Sequence, residues 1–210
     1  MTHSTLQYTI VDAFTTSNFH GNPAAVIVFD EAAPDEVDRA ALQLLAREFN
    51  LSETAFIWPT SEATTFDLRW FTPIREFKLC GHATLASAHV VFSRLAQAID
   101  GSGPTAITFR THLGAGDLHV SLVGGAGGQI SLSFPAAELQ EADAELLDKA
   151  RHAVAAAVSS EAAGKESFIK QVYISTSASY QGYVLIHLAD EVDLEQLDVK
   201  GAAFVSIGRS

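Results

Sequence analysis

The amino-acid sequence predicts an α+β fold of two similar lobes, in which β-strands surround a central helix and the second lobe is incomplete. Apolar, β-rich runs alternate with turn residues along most of the chain. A segment near residues 83–98 is helical and apolar on almost every side, which is typical of a helix enclosed by strands. After a linker near residues 112–117, the same kind of pattern begins again. We therefore expect a first lobe over residues 1–112 and a truncated second lobe over residues 117–210.

The first lobe is predicted to contain two helices among five strands. Pro34-Asp35-Glu36 is expected to open the first helix, because acidic residues favour a helix N-terminus, and Asn50 is expected to end it. The second is the apolar central helix at 83–98. The predicted strands are 8–14, 24–30, 54–58, 66–71 and 107–110.

The rest of the chain is predicted to contain five strands and two helices. The Ala- and Glu-rich stretch 135–164 favours a helix, and 190–197 favours a short one. The predicted strands are 116–123, 129–134, 167–175, 180–188 and 203–207.

The composition argues against several classes of function. Asp and Glu number 25 against 13 Lys and Arg, and the resulting formal charge of -12 disfavours binding to nucleic acid or an anionic membrane. No apolar run approaches the ~20 residues of a membrane helix, and the polar N-terminus lacks a signal-peptide core, so we expect a cytoplasmic protein. Cys80 is the single cysteine, which excludes an intrachain disulfide and a cysteine zinc site.

Residues 79–84, Leu-Cys-Gly-His-Ala-Thr, predict an anion-binding start of the central helix. Gly81 lets ligand atoms approach the backbone, and the first N–H groups of a helix lack internal partners and carry a partial positive charge. His82 can donate a hydrogen bond or transfer a proton from the same turn. The alternative is that Gly81 serves only chain geometry and that His82 only caps the helix.

Three further side chains are candidates for the same site. Glu53 stands where a helix gives way to a strand, and its apolar neighbours would raise its pKa into the range of a general acid or base; the alternative is an exposed loop glutamate. Cys80 is either a thiolate base or a buried structural residue. Asn22 could reach a ligand or could only stabilise its Gly-Asn-Pro turn. His82 and His89 share a helix face without a third ligand nearby in sequence, so no metal site is predicted.

Five motifs in fixed order carry a family resemblance. They are Val-Asp-Ala-Phe at 11–14, Gly-Asn-Pro-Ala-Ala-Val at 21–26, Leu-Ser-Glu-Thr-Ala-Phe at 51–56, Arg-Trp-Phe-Thr-Pro at 69–73 and Leu-Cys-Gly-His-Ala-Thr-Leu-Ala at 79–86. Together they resemble the PhzF-like family, the phenazine-biosynthesis isomerase group within the diaminopimelate-epimerase fold. The resemblance implies two pseudo-symmetric lobes, each a curved mixed sheet around a central helix, with the site in the cleft between them. It also implies a protein without a cofactor and, as often in that family, a homodimer.

The resemblance also implies roles for individual residues. Glu53 would move the proton, while Gly81 and His82 would hold the substrate carboxylate and assist the transfer. Cys80 stands where related epimerases keep a catalytic cysteine, but a mechanism with two cysteines is excluded because the chain has one. The Asp-Pro-x-Thr-Gly-Ser-Ala motif that opens the second central helix of the family is absent from this sequence. We therefore expect the apolar faces of residues 172–174 and 184–186 to lack their usual cover, so that either a partner subunit supplies it or the protein is poorly stable.

Three hypotheses of function follow from these residues. The first is a cofactor-independent isomerase in which Glu53 abstracts a proton from a small anionic carboxylate, giving a 1,3-shift or an epimerisation. The second is a catalytically silent homologue that acts as a binding or interaction protein. The third is a racemase that uses Cys80 as its one base.

Overall fold

The computed structural model describes residues 5–17, 19–98, 103–124, 128–158, 168–177, 180, 182–193, 197 and 199–207. The chain divides into two compact units, Met1–Pro135 and Ala136–Ser210. Each combines a β-sheet with helices, and the α+β class predicted from the sequence is confirmed. Within the described ranges, no helix combines the length and the hydrophobicity needed to cross a bilayer.

The first unit is a mixed eight-stranded sheet with two helices. Its elements in chain order are β1 (Thr9–Ala13), β2 (Asn22–Val28), α1 (Arg39–Phe49), β3 (Glu53–Pro59), β4 (Thr65–Phe71), β5 (Glu76–Phe77), α2 (Gly81–Ala98), β6 (Ala106–Thr111), β7 (Asp117–Val123) and β8 (Gln129–Leu132). The strand order is β1-β2-β3-β4-β6-β7-β8, with β5 paired to β4. The pairs β2–β3 and β4–β6 are parallel, and the others are antiparallel. Because β6 and β7 are hydrogen-bonded neighbours, this unit continues past the boundary expected near residues 112–117.

The helix α2 is enclosed by the sheet, as its sequence predicts. It contacts β1 and β8, which end the strand order, as well as β2 and β3, so the sheet curves around it. Its alanine side chains let the strands approach the helix closely. The helix contributes six hydrophobic residues to the buried core: Ala83, Ala86, Ala88, Val90, Val91 and Phe92. The helix begins two residues earlier than the predicted 83–98, at Gly81.

The helix α1 packs on the opposite face of the sheet. Its Leu42 and Ala46 join a second core with Ile27, Phe56 and other residues of the sheet. It begins at Arg39 and not at the predicted Pro34, because the Asp38 side chain accepts a hydrogen bond from the Ala41 N–H and caps the helix there. Asn50 ends the helix in a left-handed conformation, as predicted.

The second unit is a three-stranded antiparallel sheet with one α-helix. Its elements are β9 (Leu139–Glu141), α3 (Ala144–Ala157), β10 (Ile169–Ser175), β11 (Val184–Leu188) and a 3-10 helix (Gly201–Ser206), with strand order β11-β10-β9. The side chain of Asp143 caps α3, whose buried residues are mostly alanine. Val172 is buried and α3 contacts β10, so the predicted loss of cover does not extend to this position, whereas Leu185 on β11 is 50% exposed.

Several predictions for the second unit are wrong. The stretch 135–164 contains the strand β9 before α3, and residues 159–164 lie outside the described part of the chain. The run 203–207 lies in the 3-10 helix and its last turn and is not a strand; this helix contacts α3. Residues 190–193 and 197 are not helical, and the rest of the helix predicted at 190–197 lies outside the described residues.

Candidate functional site

Three elements of the first unit begin at one place. Because β2 and β3 run parallel, with Ala24 opposite Glu53, their first residues lie at the same end of the sheet. The helix α2 contacts both strands and begins beside them. The polar side chains that start these elements are thereby brought together: Asn22, Ser52, Glu53, Cys80 and His82.

A chain of hydrogen-bond distances joins four of these side chains. His82 Nδ1 lies 3.2 Å from Cys80 Sγ, and His82 Nε2 lies 3.2 Å from Ser52 Oγ. The Ser52 hydroxyl has acceptors at Asn22 Oδ1, 3.0 Å away, and at the Pro23 carbonyl oxygen, 3.2 Å away. Since Ser52 donates its single proton to one of these acceptors, it accepts from His82 Nε2–H, which leaves Nδ1 to accept from the Cys80 thiol. The surroundings therefore favour the Nε2–H tautomer of His82.

Glu53 is a buried acid at the start of β3. Its side chain is in the core, with the residue only 6% exposed, and its Oε2 has no hydrogen-bond partner among the described residues. Burial raises the pKa of Glu53 from 4.5 to about 7, although the nearby Arg75 guanidinium opposes the rise. At neutral pH the carboxyl group is therefore divided between its protonated and ionised forms, so it can both accept and return a proton. The exposed loop glutamate considered for this position is not what the structure shows.

Cys80 and His82 are neutral neighbours of this acid. Burial and the charge of Glu53 raise the pKa of the Cys80 thiol to about 12, although the backbone N–H groups of His82 and Ala83 donate to its sulfur. Burial also lowers the pKa of His82, so the imidazole is uncharged near pH 7. A thiolate at Cys80 acting as the base is therefore disfavoured, and the thiol serves as a hydrogen-bond donor to His82.

The Phe134 side chain lies against the start of α2 at Gly81. A Cβ atom at Gly81 would lie only 3.3 Å from Cζ of Phe134, a residue that is 40% exposed, so glycine permits this close contact. The first turn of α2 is held by two hydrogen bonds, because the Thr84 hydroxyl and the Thr84 N–H both donate to the Cys80 carbonyl oxygen. A carboxylate at this turn would share the N–H groups of His82 and Ala83 with the Cys80 sulfur.

Ser52 of this site and two residues next to the site, Glu76 and Arg75, were not among the residues predicted from the sequence. Glu76 is buried and accepts two hydrogen bonds from Arg69, at 2.7 and 3.0 Å, and also pairs with Arg39 of α1. It thereby anchors β5, the strand that leads into Cys80 and α2. Arg75 precedes it and acts electrostatically on Glu53. The signal for both is the pairing of a two-residue strand, which is too short for sequence periodicity to reveal.

No group of three or more His, Cys, Asp or Glu side chains suited to a metal ion occurs in the ranges that the structure describes. His89, the second histidine of α2, is exposed.

Curated proteins similar to this chain include phenazine biosynthesis-like domain-containing proteins and uncharacterized isomerases. A phenazine biosynthesis-like domain-containing protein from Rattus norvegicus is 52% identical over 92 residues, which are 41% of this chain and 31% of the relative. An uncharacterized isomerase from Halalkalibacterium halodurans is 53% identical over 83 residues, 40% of this chain and 29% of the relative. The matched segments thus span about a third of the length of these curated relatives.

Solved structures extend the likeness beyond these segments. The crystal structure of a PhzF-family phenazine biosynthesis protein from Enterococcus faecalis aligns with a TM-score of 0.63 and 30% identity, covering 94% of this chain and 62% of that protein. The family profile described as "Phenazine biosynthesis-like protein" matches residues 11–207. Because that match covers nearly the whole chain, the chain belongs to the phenazine biosynthesis-like (PhzC-PhzF) protein family.

Proposed function

We propose that this chain catalyses a cofactor-independent isomerisation of a small carboxylate, in which Glu53 takes a proton from one carbon atom and returns it to the product. The observation that carries the proposal is the Glu53 carboxyl group, which is buried, has a pKa of about 7 and has an Oε2 without a partner in the described part of the chain. The isomerase name of the relative from Halalkalibacterium halodurans supports the reaction class.

The reaction would proceed by proton transfer without net loss or gain of atoms. Glu53 accepts a proton from the carbon next to a carbonyl group or a carbon–carbon double bond, and the electron pair left behind spreads into that group. The protonated Glu53 then delivers the proton to the far end of the delocalised system, a 1,3-shift, or to the opposite face of the first carbon, an epimerisation. The start of α2 at Gly81 and the neutral His82 would stabilise the negative charge that develops between the two transfers.

The surrounding residues would keep His82 in place for this role. Cys80 donates to Nδ1 and Ser52 accepts from Nε2, so the ring is fixed in one tautomer and one orientation. Asn22 in turn holds the Ser52 hydroxyl. We assign Asn22, Ser52 and Cys80 as positioning residues, and Glu53 and His82 as the groups that meet the substrate.

Deuterium incorporation tests the proposal. The protein would be incubated in D2O with two small acids that have an exchangeable C–H next to a double bond, 3-butenoate and glutaconate, and incorporation would be followed by NMR. We expect Glu53→Gln to slow enzyme-dependent incorporation by about 100-fold or more, the usual contribution of a general base. Glu48→Gln is the matched control, because Glu48 is exposed on α1, which packs on the other face of the sheet.

The possible results separate the hypotheses. Full incorporation by the Glu53→Gln variant would show that Glu53 is not the base. Binding of either acid without any incorporation by the unmodified chain would favour a binding protein, the second hypothesis of the sequence analysis. Loss of incorporation after Cys80→Ala, together with full incorporation by Glu53→Gln, would instead point to the thiol as the base.

A further inference from the structure

The exposed turn before β5 carries a cation whose position relative to Glu53 follows from the sheet. We propose that Arg75 binds a second anionic group of the substrate, so that the site selects dicarboxylates over monocarboxylates; this inference rests on the proposed function. Four observations support it, namely the sheet register, the fixed conformation of the turn, the absence of an ion-pair partner and the electrostatic effect on Glu53.

Strand register places Arg75 level with Glu53 across the sheet, so the two residues lie in one row that runs perpendicular to the strands. In the β3–β4 pair Thr54 lies opposite Phe71, so Glu53 comes level with Thr72. In the β4–β5 pair Phe71 lies opposite Glu76, so Thr72 comes level with Arg75, and the Thr72 N–H donates to the Arg75 carbonyl oxygen at 2.9 Å. Two strand spacings, roughly 10 Å, therefore separate the backbones of Glu53 and Arg75, a gap that their long side chains can bridge in part.

Both side chains also project from the same face of the sheet. Residues of one row share a face, and successive residues alternate. Glu76 reaches Arg39 of α1, so its side chain lies on the α1 face. Phe77 packs into the core on the α2 face. Arg75 is two residues away from Phe77 and therefore lies on the same face. The start of α2 lies on that face as well.

The turn holds Arg75 in a defined place. The Thr72 hydroxyl accepts from the N–H groups of Ile74 and Arg75 and donates to the Arg75 carbonyl oxygen. The Gln43 side chain donates to the Thr72 carbonyl oxygen from α1, at 2.8 Å. The guanidinium of Arg75 lies over the Phe77 ring, 5.0 Å from its centroid. A planar cation supported in this way loses less conformational freedom when it binds a carboxylate.

Arg75 has no carboxylate of its own. The adjacent Glu76 is engaged by Arg69 and Arg39, and among the described residues no carboxylate forms a salt bridge with Arg75. The chain as a whole carries a formal charge of -12, so the Arg75 guanidinium adds positive charge near the candidate site of an acidic protein. Its positive charge lowers the pKa of Glu53 against the effect of burial, which agrees with the row geometry.

The two anion-binding positions lie on opposite sides of Glu53. His82 reaches the row from the β2 side through Ser52, while Arg75 reaches it from the β5 side. A substrate with a carboxylate at each end would therefore bring the carbon between them over the Glu53 carboxyl group. The chemical class that fits is a short dicarboxylate, and a bidentate contact with Arg75 would supply the selectivity.

Binding of a matched pair of acids tests the inference. Butyrate and glutarate differ mainly in the second carboxylate, and their dissociation constants would be measured by NMR titration of the Gly81 and His82 amide signals. We expect glutarate to bind the unmodified chain about tenfold more tightly than butyrate, the effect of one charge-assisted contact. Arg75→Gln should remove that preference and leave the affinity for butyrate unchanged. Arg47→Gln, the same change on exposed Arg47 of α1, is the control and should keep the preference.

Each outcome bears on one proposal or the other. Equal affinities for the two acids in the unmodified chain, or an Arg75→Gln variant that weakens both acids equally, would overturn the role of Arg75. If 3-butenoate still incorporates deuterium in that case, the proposed function stands, because that acid has no second carboxylate. A preference for glutarate that depends on Arg75, without incorporation into either unsaturated acid, would leave the dicarboxylate site and refute the catalytic role. Failure of both butyrate and glutarate to bind would overturn this inference and the anion site at α2.

Discussion

The raised pKa of Glu53 predicts a stability that falls as the pH rises. Because burial penalises the charged form, the folded protein holds the Glu53 proton up to about pH 7, whereas the unfolded chain releases it near pH 4.5. The contribution of Glu53 to stability is therefore fully present below the unfolded pKa and is lost as the pH rises through the folded pKa. Glu53→Gln removes this titration and keeps the shape of the side chain.

The size of the effect follows from the two pKa values. The difference between 4.5 and about 7 corresponds to about 3 kcal/mol in total. Proton linkage predicts that about 2 kcal/mol of this stability is lost between about pH 5.5 and about pH 8.5. This range lies above the isoelectric point of about 4.9. Ser52 beside the acid is exposed, so solvent screens part of the penalty and about 2 kcal/mol is an upper value.

Urea unfolding at several pH values provides the measurement. We expect the free energy of unfolding of Glu53→Gln, relative to the unmodified chain, to increase steadily across this range. All other titrating groups are common to both proteins and cancel in the difference. Glu48→Gln, the same change at an exposed position of α1, is the matched control. A constant difference for Glu53→Gln, or one that decreases with pH, would refute the raised pKa and with it the main support for Glu53 as the base.

Three further predictions concern Ser52, Glu76 and Cys80. Ser52→Ala removes one hydrogen-bond partner of the His82 ring and leaves another, the Pro23 carbonyl oxygen, so we expect the ring nitrogen shifts of His82 to change, at a cost in unfolding free energy of less than about 1 kcal/mol; unchanged shifts would exclude the positioning role. Glu76→Gln breaks a buried ion pair with Arg69, and urea unfolding should show a loss of about 3 kcal/mol, whereas a loss below about 1 kcal/mol would mean that solvent screens the pair. Iodoacetamide should alkylate Cys80 at least about 100-fold more slowly than free cysteine, because its thiol has a pKa of about 12; mass spectrometry would reveal a faster reaction, which would contradict the buried thiol.

Long periodic segments of the fold were predictable from the sequence. The apolar run of α2 and the alternating run of β4 indicate which positions are buried, because each pattern extends over several residues and does not depend on any single one. The short elements were not predictable in this way. β9 has three exposed residues and exists because Glu141 and its neighbours pair with β10, a tertiary interaction that leaves no mark in local sequence.

The wrong strand at 203–207 has a different cause. Ala203-Phe204-Val205 is a short apolar run, and such a run is compatible with a strand or with a helical turn until its packing partner is known. Here the partner is α3, and the segment contacts it as a 3-10 helix.

The candidate site shows the same division. Glu53, Gly81 and His82 follow from motifs whose residues are adjacent in sequence, so they could be named before the structure was known. Ser52 as the partner of His82 and Arg75 as the neighbour of Glu53 depend on which strands pair and in which register. Residues that meet only through sheet pairing carry no sequence signal of their meeting.

The turn that carries Arg75 tolerates substitution differently from the elements that begin at Glu53 and Gly81. Glu53 and Gly81 begin elements whose next inward residues, Ala55 and Ala83, are fully buried, so substitutions near these two positions also disturb folding. Arg75 instead follows Ile74, which is 81% exposed, and a change there leaves the core intact. If Arg75 binds the second carboxylate as proposed, a library restricted to residues 73–75 would sample new acid preferences without disturbing the core. Divergence of specificity in such a molecule can proceed by single surface steps, without an intermediate that has lost its fold.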